Sequence, residues 1–289
     1  MSAVVTVVVP TRNSGRTIEA CLRSVRAQDH PAVELVVVDN DSSDGTFELA
    51  EKVADAAVRG GPERSAQRNR GVELARGEWV MWVDSDMVLP PGVIRQALAV
   101  AARTGALAVS VPEVSIGPGF WTACRALERS CYLDDPTLHN PRLLHRDQLR
   151  ALGGFDSELA GPEDTDLRLR LRAGGVRVAF CADAMIEHDE GRLTVRAVLA
   201  KRVYYGRSLP AFATRNPGAL RGQGAGTVAA MIRNRRRLAR HPVRTAGVAV
   251  LRGLEAAAYG VGYWQGRREL RRRPAGASGR GSRRTGAGG

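Results

Sequence analysis

The chain has 289 residues, 44% of them hydrophobic and 25% charged, which is the make-up of one large globular domain or of a domain with an appendage. Its net charge of +13 is uneven: residues 233–289 hold 15 of the 43 Lys and Arg but two of the 30 acids, Glu255 and Glu269, so residues 1–232 balance to zero. That distribution argues against a nucleic-acid-binding body, and Cys21, Cys124, Cys131 and Cys181 lack both C-x-x-C spacing and a neighbouring His, which argues against zinc and disulfides.

No uncharged apolar run reaches the ~20 residues that span a bilayer. The chain opens into an apolar strand without the basic start of a signal peptide. The expected location is the cytosol, with peripheral contact at the inner face of the cell membrane.

Residues 4–9 are an apolar, β-branched run ending at Pro10, which predicts a strand buried on both faces. Ile18, Cys21, Leu22 and Val25 then recur at helical spacing over residues 17–26. A second buried strand at 35–38 ends in the polar turn 39–45, followed by a helix expected over 46–57. A helix over 64–75 leads to a third strand, 79–83, which runs into Asp84-Ser85-Asp86. After Pro90-Pro91 come a helix to about residue 103 and a strand at 107–111.

Such alternation implies βαβ units and a mainly parallel sheet, an α/β fold whose ligands bind beyond the carboxyl ends of the strands. Residues 112–150 read as irregular, with Gly117-Pro118-Gly119 and Asp134-Asp135-Pro136 as turns. A helix over 164–173 and a strand over 176–180 follow, and beyond Arg192 the pattern is helical and increasingly basic. Residues 274–289, made of Gly, Ala, Ser, Thr and Arg after Pro274, read as disordered. The expected organisation is a catalytic domain over 1–190, a helical basic region over 191–273 and a tail.

Asp84 and Asp86 alternate at a strand's end, where two carboxylates can share a divalent cation and leave positions open for phosphate oxygens. The plainer alternative is a polar turn in which Asp86 caps the next helix. Glu163 and Asp164 open a helix, where the helix dipole favours acids, and either offers a general base. His188 stands between Glu187 and Asp189 after an apolar segment; alone it is as readily structural as metal-binding. No G-x-x-x-x-G-K-[ST] loop is present, and Pro10-Thr11-Arg12-Asn13-Ser14-Gly15 replaces a dinucleotide-binding glycine cradle.

The ordered segments V-V-V-P-T-R-N at 7–13, V-V-V-D-N-D-S-S-D-G-T at 36–46, R-N-R-G-V-E-L-A-R-G-E-W-V at 68–80, W-V-D-S-D at 82–86, G-G-F-D at 153–156 and G-P-E-D-T-D-L-R-L-R at 161–170 belong together. In that order they resemble the inverting glycosyltransferases of family 2, which have the GT-A fold, over residues 4–190. The resemblance implies transfer of a sugar from a nucleotide-sugar donor to a hydroxyl acceptor. It places Pro10, Thr11 and Asn13 in the nucleotide site, Asp39 near the base or ribose, and Ser85 beside the donor. Many members carry a second acid where this chain has Asn40, so uracil recognition is not implied. Arg64 or Arg68 faces the donor. Asp84 and Asp86 hold Mn²⁺ or Mg²⁺, with His188 at a position where related enzymes place a further ligand. Asp164 is the implied base, with Glu163 in reserve. Acceptor contacts are expected from residues 112–150 and from Tyr204 and Tyr205. A nucleotide-sugar-binding protein without turnover and a sugar-phosphate nucleotidyltransferase are the rival readings.

Between residues 231 and 273 arginine clusters flank an apolar stretch that Arg252 and Glu255 interrupt. A helix lying on an anionic membrane surface fits this pattern better than a spanning one, and would suit a glycan acceptor carried on a lipid. A solvated basic face is the plainer reading, and nucleic acid ranks last.

Overall fold

The computed structural model describes residues 3–272, apart from the side chains at 221 and 223; the tail expected at 274–289 lies outside the described residues. The first half runs β1 (Val5–Thr11), α1 (Ile18–Arg26), β2 (Val33–Asp39), α2 (Thr46–Val53), β3 (Ala56–Arg59), α3 (Arg64–Leu74), β4 (Trp79–Trp82), β5 (Met87–Val88) and α4 (Val93–Thr104). It continues with β6 (Ala108–Ser110), β7 (Glu113–Ile116), α5 (Phe120–Ser130), β8 (Pro141–His145), α6 (Arg146–Ala151), α7 (Glu163–Ala173), β9 (Val178–Phe180) and β10 (Ile186–Asp189). Helices α8 (Val195–Gly206), α9 (Leu209–Arg215), α10 (Ala219–Arg233), α11 (Arg235–Ala239) and α12 (Pro242–Arg272) complete the described chain.

Seven strands form one sheet in the order β3-β2-β1-β4-β8-β6-β9, parallel except where β8 runs against β4 and β6. The β-branched run of β1 explains its central place. Val5, Val7 and Val9 pack with Ile18, Leu22 and Ile94 on one face, while Val8 packs with Val72, Trp82 and Leu167 on the other. A second sheet, β5-β10-β7, stands beside the ends of the first.

Two sequence expectations need correction. The helix expected to reach residue 57 stops at Val53: Ala54 is extended, Asp55 bonds through its backbone and side chain to Leu35, and Ala56–Arg59 becomes an edge strand on β2. The stretch 112–150 is not irregular but holds two strands and two helices. Its apolar rhythm is hidden because buried ion pairs (Arg125 with Glu128, Arg142 with Glu113) occupy inward positions. Glu255, which interrupts the apolar stretch in sequence, faces inward. It is buried, where it accepts from Arg125 and Arg202, while Arg252 pairs with Glu128.

Those contacts dock α12 against α5 and α8. Backbone meets backbone there: a Cβ on Gly262 would lie 2.8 Å from the Gly206 Cα, so only glycine permits this approach.

Candidate active site

A cavity of about 430 Å³ opens beyond the carboxyl ends of β1 and β4. Of the residues picked from sequence, Pro10, Thr11, Asn40, Arg64, Asp84, Ser85, Asp86, Glu163 and His188 line it. They come from the ends of β1, β2 and β4, from the starts of α3 and α7, and from β10. Asn13, Asp39, Arg68 and Asp164 are not in its wall.

Asn13 and Asp39 shape the rim instead. Asp39 is fully buried and accepts from the Ser42 backbone N–H at 2.8 Å and the Ser42 hydroxyl at 2.5 Å, the self-bonding typical of an Asp-led turn. Asn13 adopts a positive φ of 48°; its N–H donates to Ser42 Oγ and its side-chain oxygen accepts from the Ser43 N–H. The loops after β1 and β2 are thereby stapled together. Asn40 donates from Nδ2 to the Pro62 carbonyl at 3.0 Å.

Arg64 and Arg68 stand one turn apart on α3 and divide the work. Arg64 lines the cavity, pairs with Glu163 and lies 5.7 Å from the Tyr205 ring. Arg68 is fully buried behind it, donating from Nη1 to Asp164 Oδ1 and from Nη2 to Asp84 Oδ1, both at 2.7 Å. Burial alone would raise the Asp84 pKa; Arg68 foremost, with Arg64 and Arg142, outweighs it and holds the carboxyl well below its usual range. Asp84 is thus a permanent anion. Two cavity-side atoms, Thr11 Oγ1 and Glu163 Oε2, are buried without a hydrogen-bond partner in the protein, which suits a polar ligand.

The expected metal ligands converge in part. Asp86 Oδ2 lies 3.2 Å from His188 Nε2, and both line the cavity, whereas Asp84 is drawn away by Arg68. Among the described residues no three His, Cys, Asp or Glu side chains form a ready cation cage. One carboxylate and one imidazole nevertheless fit Mn²⁺ or Mg²⁺, which keep positions for phosphate oxygens and water. Glu113 lies 3.6 Å from the other ring nitrogen of His188, beyond direct hydrogen-bond reach, and Arg129 Nη1 lies 3.3 Å from the same nitrogen. The His188 pKa is pushed up to about 9: burial opposes the charge, and Asp86 foremost, with Glu113, outweighs it.

Sequence reasoning missed Glu113, which sits on β7 in the stretch read as irregular, and Lys201 on α8. Lys201 lines the cavity and helps to hold the Asp86 carboxyl below its ordinary range. Of the two tyrosines it did pick, Tyr205 covers Gly161, where φ is +101° and a Cβ would lie 2.7 Å from the ring. The helical region after residue 190 therefore helps to build the site.

The description "Glycosyl transferase family 2" matches residues 6–156. The chain belongs to this family. The matched span takes in the Asp84-Ser85-Asp86 segment of this family 2 member, while Glu163, Asp164 and His188 lie beyond it. The pre-mycofactocin glycosyltransferase of Mycobacterium tuberculosis is 28% identical over 233 residues, 74% of this chain and 48% of that one. Succinoglycan biosynthesis protein ExoO of Rhizobium meliloti is 38% identical over 109 residues, 35% of this chain and 31% of that one. The matches thus span about a third to a half of these curated relatives. Among solved structures, a Pyrobaculum calidifontis mannosyltransferase in complex with GDP-Man and Mn²⁺ superposes with a TM-score of 0.63 at 22% identity, covering 91% of this chain and 88% of that one. Residues 1–349 of S. aureus TarS in complex with UDP-GlcNAc give 0.53 at 19% identity, with 92% of each chain covered. At those identities the likeness establishes the fold, which is that of the GT-A enzymes.

Proposed function

We propose that this family 2 member transfers a sugar from a nucleoside-diphosphate sugar to a hydroxyl of a glycan or lipid-linked acceptor, with inversion and with a divalent cation. The observation that carries this reading is one cavity bounded on one side by Asp86 and His188 and on the other by Arg64 and Glu163, with Asp164 directly behind. The GDP-Man, Mn²⁺ and UDP-GlcNAc bound by the two structural neighbours agree with it.

Asp86 and His188 would hold Mn²⁺ or Mg²⁺, which would offset charge on the departing nucleoside diphosphate. Arg64 and Lys201, both in the wall, would meet the same diphosphate as fixed cations. Thr11 and Asn40 would hold the nucleoside beside the stapled rim formed by Asn13 and Asp39. The acceptor oxygen would bond to the anomeric carbon as the bond from that carbon to the phosphate oxygen breaks. Asp164 would take the acceptor's proton. Its Oδ1 is held by Arg68, which leaves Oδ2 for that proton.

Calorimetric titration with UDP, GDP and TDP, in Mn²⁺ and in EDTA, tests the donor site on wild type and Asp86→Ala. Cation-dependent binding of one nucleotide, lost in the variant, is expected. Absence of binding to every nucleotide by folded protein would overturn the reading, and binding without turnover on any acceptor would favour a non-catalytic nucleotide-sugar-binding protein.

A further inference from the structure

The docked face of α12, through Gly247, Leu251, Glu255, Ala258 and Gly262, leaves the flank about a quarter-turn round the helix uncovered. Val243, Val250, Leu254, Val261 and Trp264 are exposed on it, Val243 at 71% and Trp264 at 54%. Their spacings of seven, four, seven and three residues put them on one stripe, and the positions between them on that face are alanine and glycine. The stripe is about 32 Å long at 1.5 Å per residue. An unbroken apolar stripe of that length is rare on a surface that faces water alone. Phe120 of α5, 45% exposed, packs against Gly247 and widens it at one end.

Charge identifies what covers the stripe. Arg235, Arg236, Arg240 and Arg244 stand at one end and Arg267, Arg271 and Arg272 at the other, with no carboxylate partner among the described residues. Arg268 stacks on the Trp264 ring at 3.3 Å. A second copy of the chain would set arginine cluster against arginine cluster in either orientation, which is repulsive. An anionic lipid surface is complementary to both ends at once. No described helix is long and apolar enough to cross a membrane, so the contact is one of lying on it.

We propose that the outward stripe of α12, over residues 243–264 with Phe120, docks the protein flat on an anionic lipid bilayer. The membrane contact expected from composition thereby acquires a defined face. Helix α8 separates α12 from the cavity: Lys201, Tyr204 and Tyr205 line the cavity, while Arg202 and Gly206 meet the docked face of α12. Docking of α12 would therefore keep the cavity within two helices of the bilayer, near a lipid-linked acceptor; this last step rests on the transfer reading, whereas the docking does not.

The test is co-sedimentation of the full chain with vesicles of phosphatidylcholine alone and of phosphatidylcholine with phosphatidylglycerol, for wild type and for Val250→Asp with Val261→Asp. Wild type should pellet with the anionic vesicles, less so in high salt, and the double variant should bind about tenfold more weakly or worse, with nucleotide binding unchanged. Trp264→Ser provides the same reading at the far end of the stripe if the double variant does not fold. Equal pelleting of wild type and variants overturns the proposal. So does a wild-type dimer in sedimentation velocity that the double variant dissolves, because the occupant is then a second copy. A protein that docks on vesicles yet binds no nucleotide leaves the docking intact and sinks the transfer reading alone.

Discussion

Arg68 Nη1 donates to Asp164 Oδ1 at 2.7 Å, and the other arm of the same buried guanidinium holds Asp84 at the same distance. One side chain therefore ties the proposed base to the acidic segment after β4. Lysine keeps the charge but offers one point where two parallel arms are needed. Arg68→Lys should lower kcat on the order of 10²-fold through misplacement of Asp164 while donor KM moves little. Arg68 touches neither the cavity nor a reacting atom in this account, so it is a positioning residue. Steady-state kinetics settles the matter, and a rise in KM with kcat preserved would show that Arg68 acts on the donor instead.

Glu163 and Asp164 are neighbours with different surroundings: Glu163 lines the cavity and pairs with Arg64, and Asp164 lies behind, held by Arg68. If Asp164 is the base, Asp164→Asn should cut kcat by roughly 10²- to 10⁴-fold and leave nucleotide affinity intact. Glu163→Gln should act mainly through Arg64, raising donor KM. Turnover measured beside calorimetric nucleotide binding separates the two. The opposite pattern, with kcat lost in Glu163→Gln alone, would move the base to Glu163.

The strand ends were legible because unbroken runs such as residues 4–9 demand burial on both faces, and the polar clusters after them then fall at one sheet edge. Division of roles between Arg64 and Arg68 was not legible: four residues apart, they share a helix face, and only the packing of Phe155 and Asp164 around Arg68 separates them. Glu113 escaped notice because charged residues fill the inward positions of 112–150, which erases the apolar period. Helix α12 was opaque in another way. It is apolar on two faces, one docked and one exposed, and the linear sequence does not show that Glu255 belongs to the docked one.

Glu113 tests whether the cation reading extends behind the first ligands. It lies 3.6 Å from the ring nitrogen of His188 that faces away from Asp86, and Arg142 and Arg129 hold it in place. Glu113→Gln should weaken Mn²⁺ affinity by roughly 10- to 100-fold while leaving nucleotide affinity at saturating Mn²⁺ unchanged. Mn²⁺ titration followed by electron paramagnetic resonance reads this directly. Unaltered Mn²⁺ affinity in a folded Glu113→Gln protein would remove His188 from the ligand set or Glu113 from its support.

A buried carboxylate helps to hold α12 on the domain. Glu255 is buried and accepts from Arg125 of α5 and Arg202 of α8. Burial pushes its carboxyl up, and the two guanidinium groups, Arg125 first, outweigh burial, so its pKa lies below the ordinary 4.5. A lowered folded-state pKa means that Glu255 contributes its stability above that ordinary value and loses it as pH falls through the lowered one. Glu255→Ala removes the shared partner of Arg125, which keeps Glu128, and of part-buried Arg202, which keeps Tyr259, and should cost roughly 1 to 3 kcal/mol at neutral pH. Thermal melts from pH 7 to pH 3 should therefore show a large deficit for the variant that narrows in acid, where the wild type loses the same contact. A deficit that stays constant with pH would mean that packing of α12, and not the Glu255 charge, holds the helix on the domain.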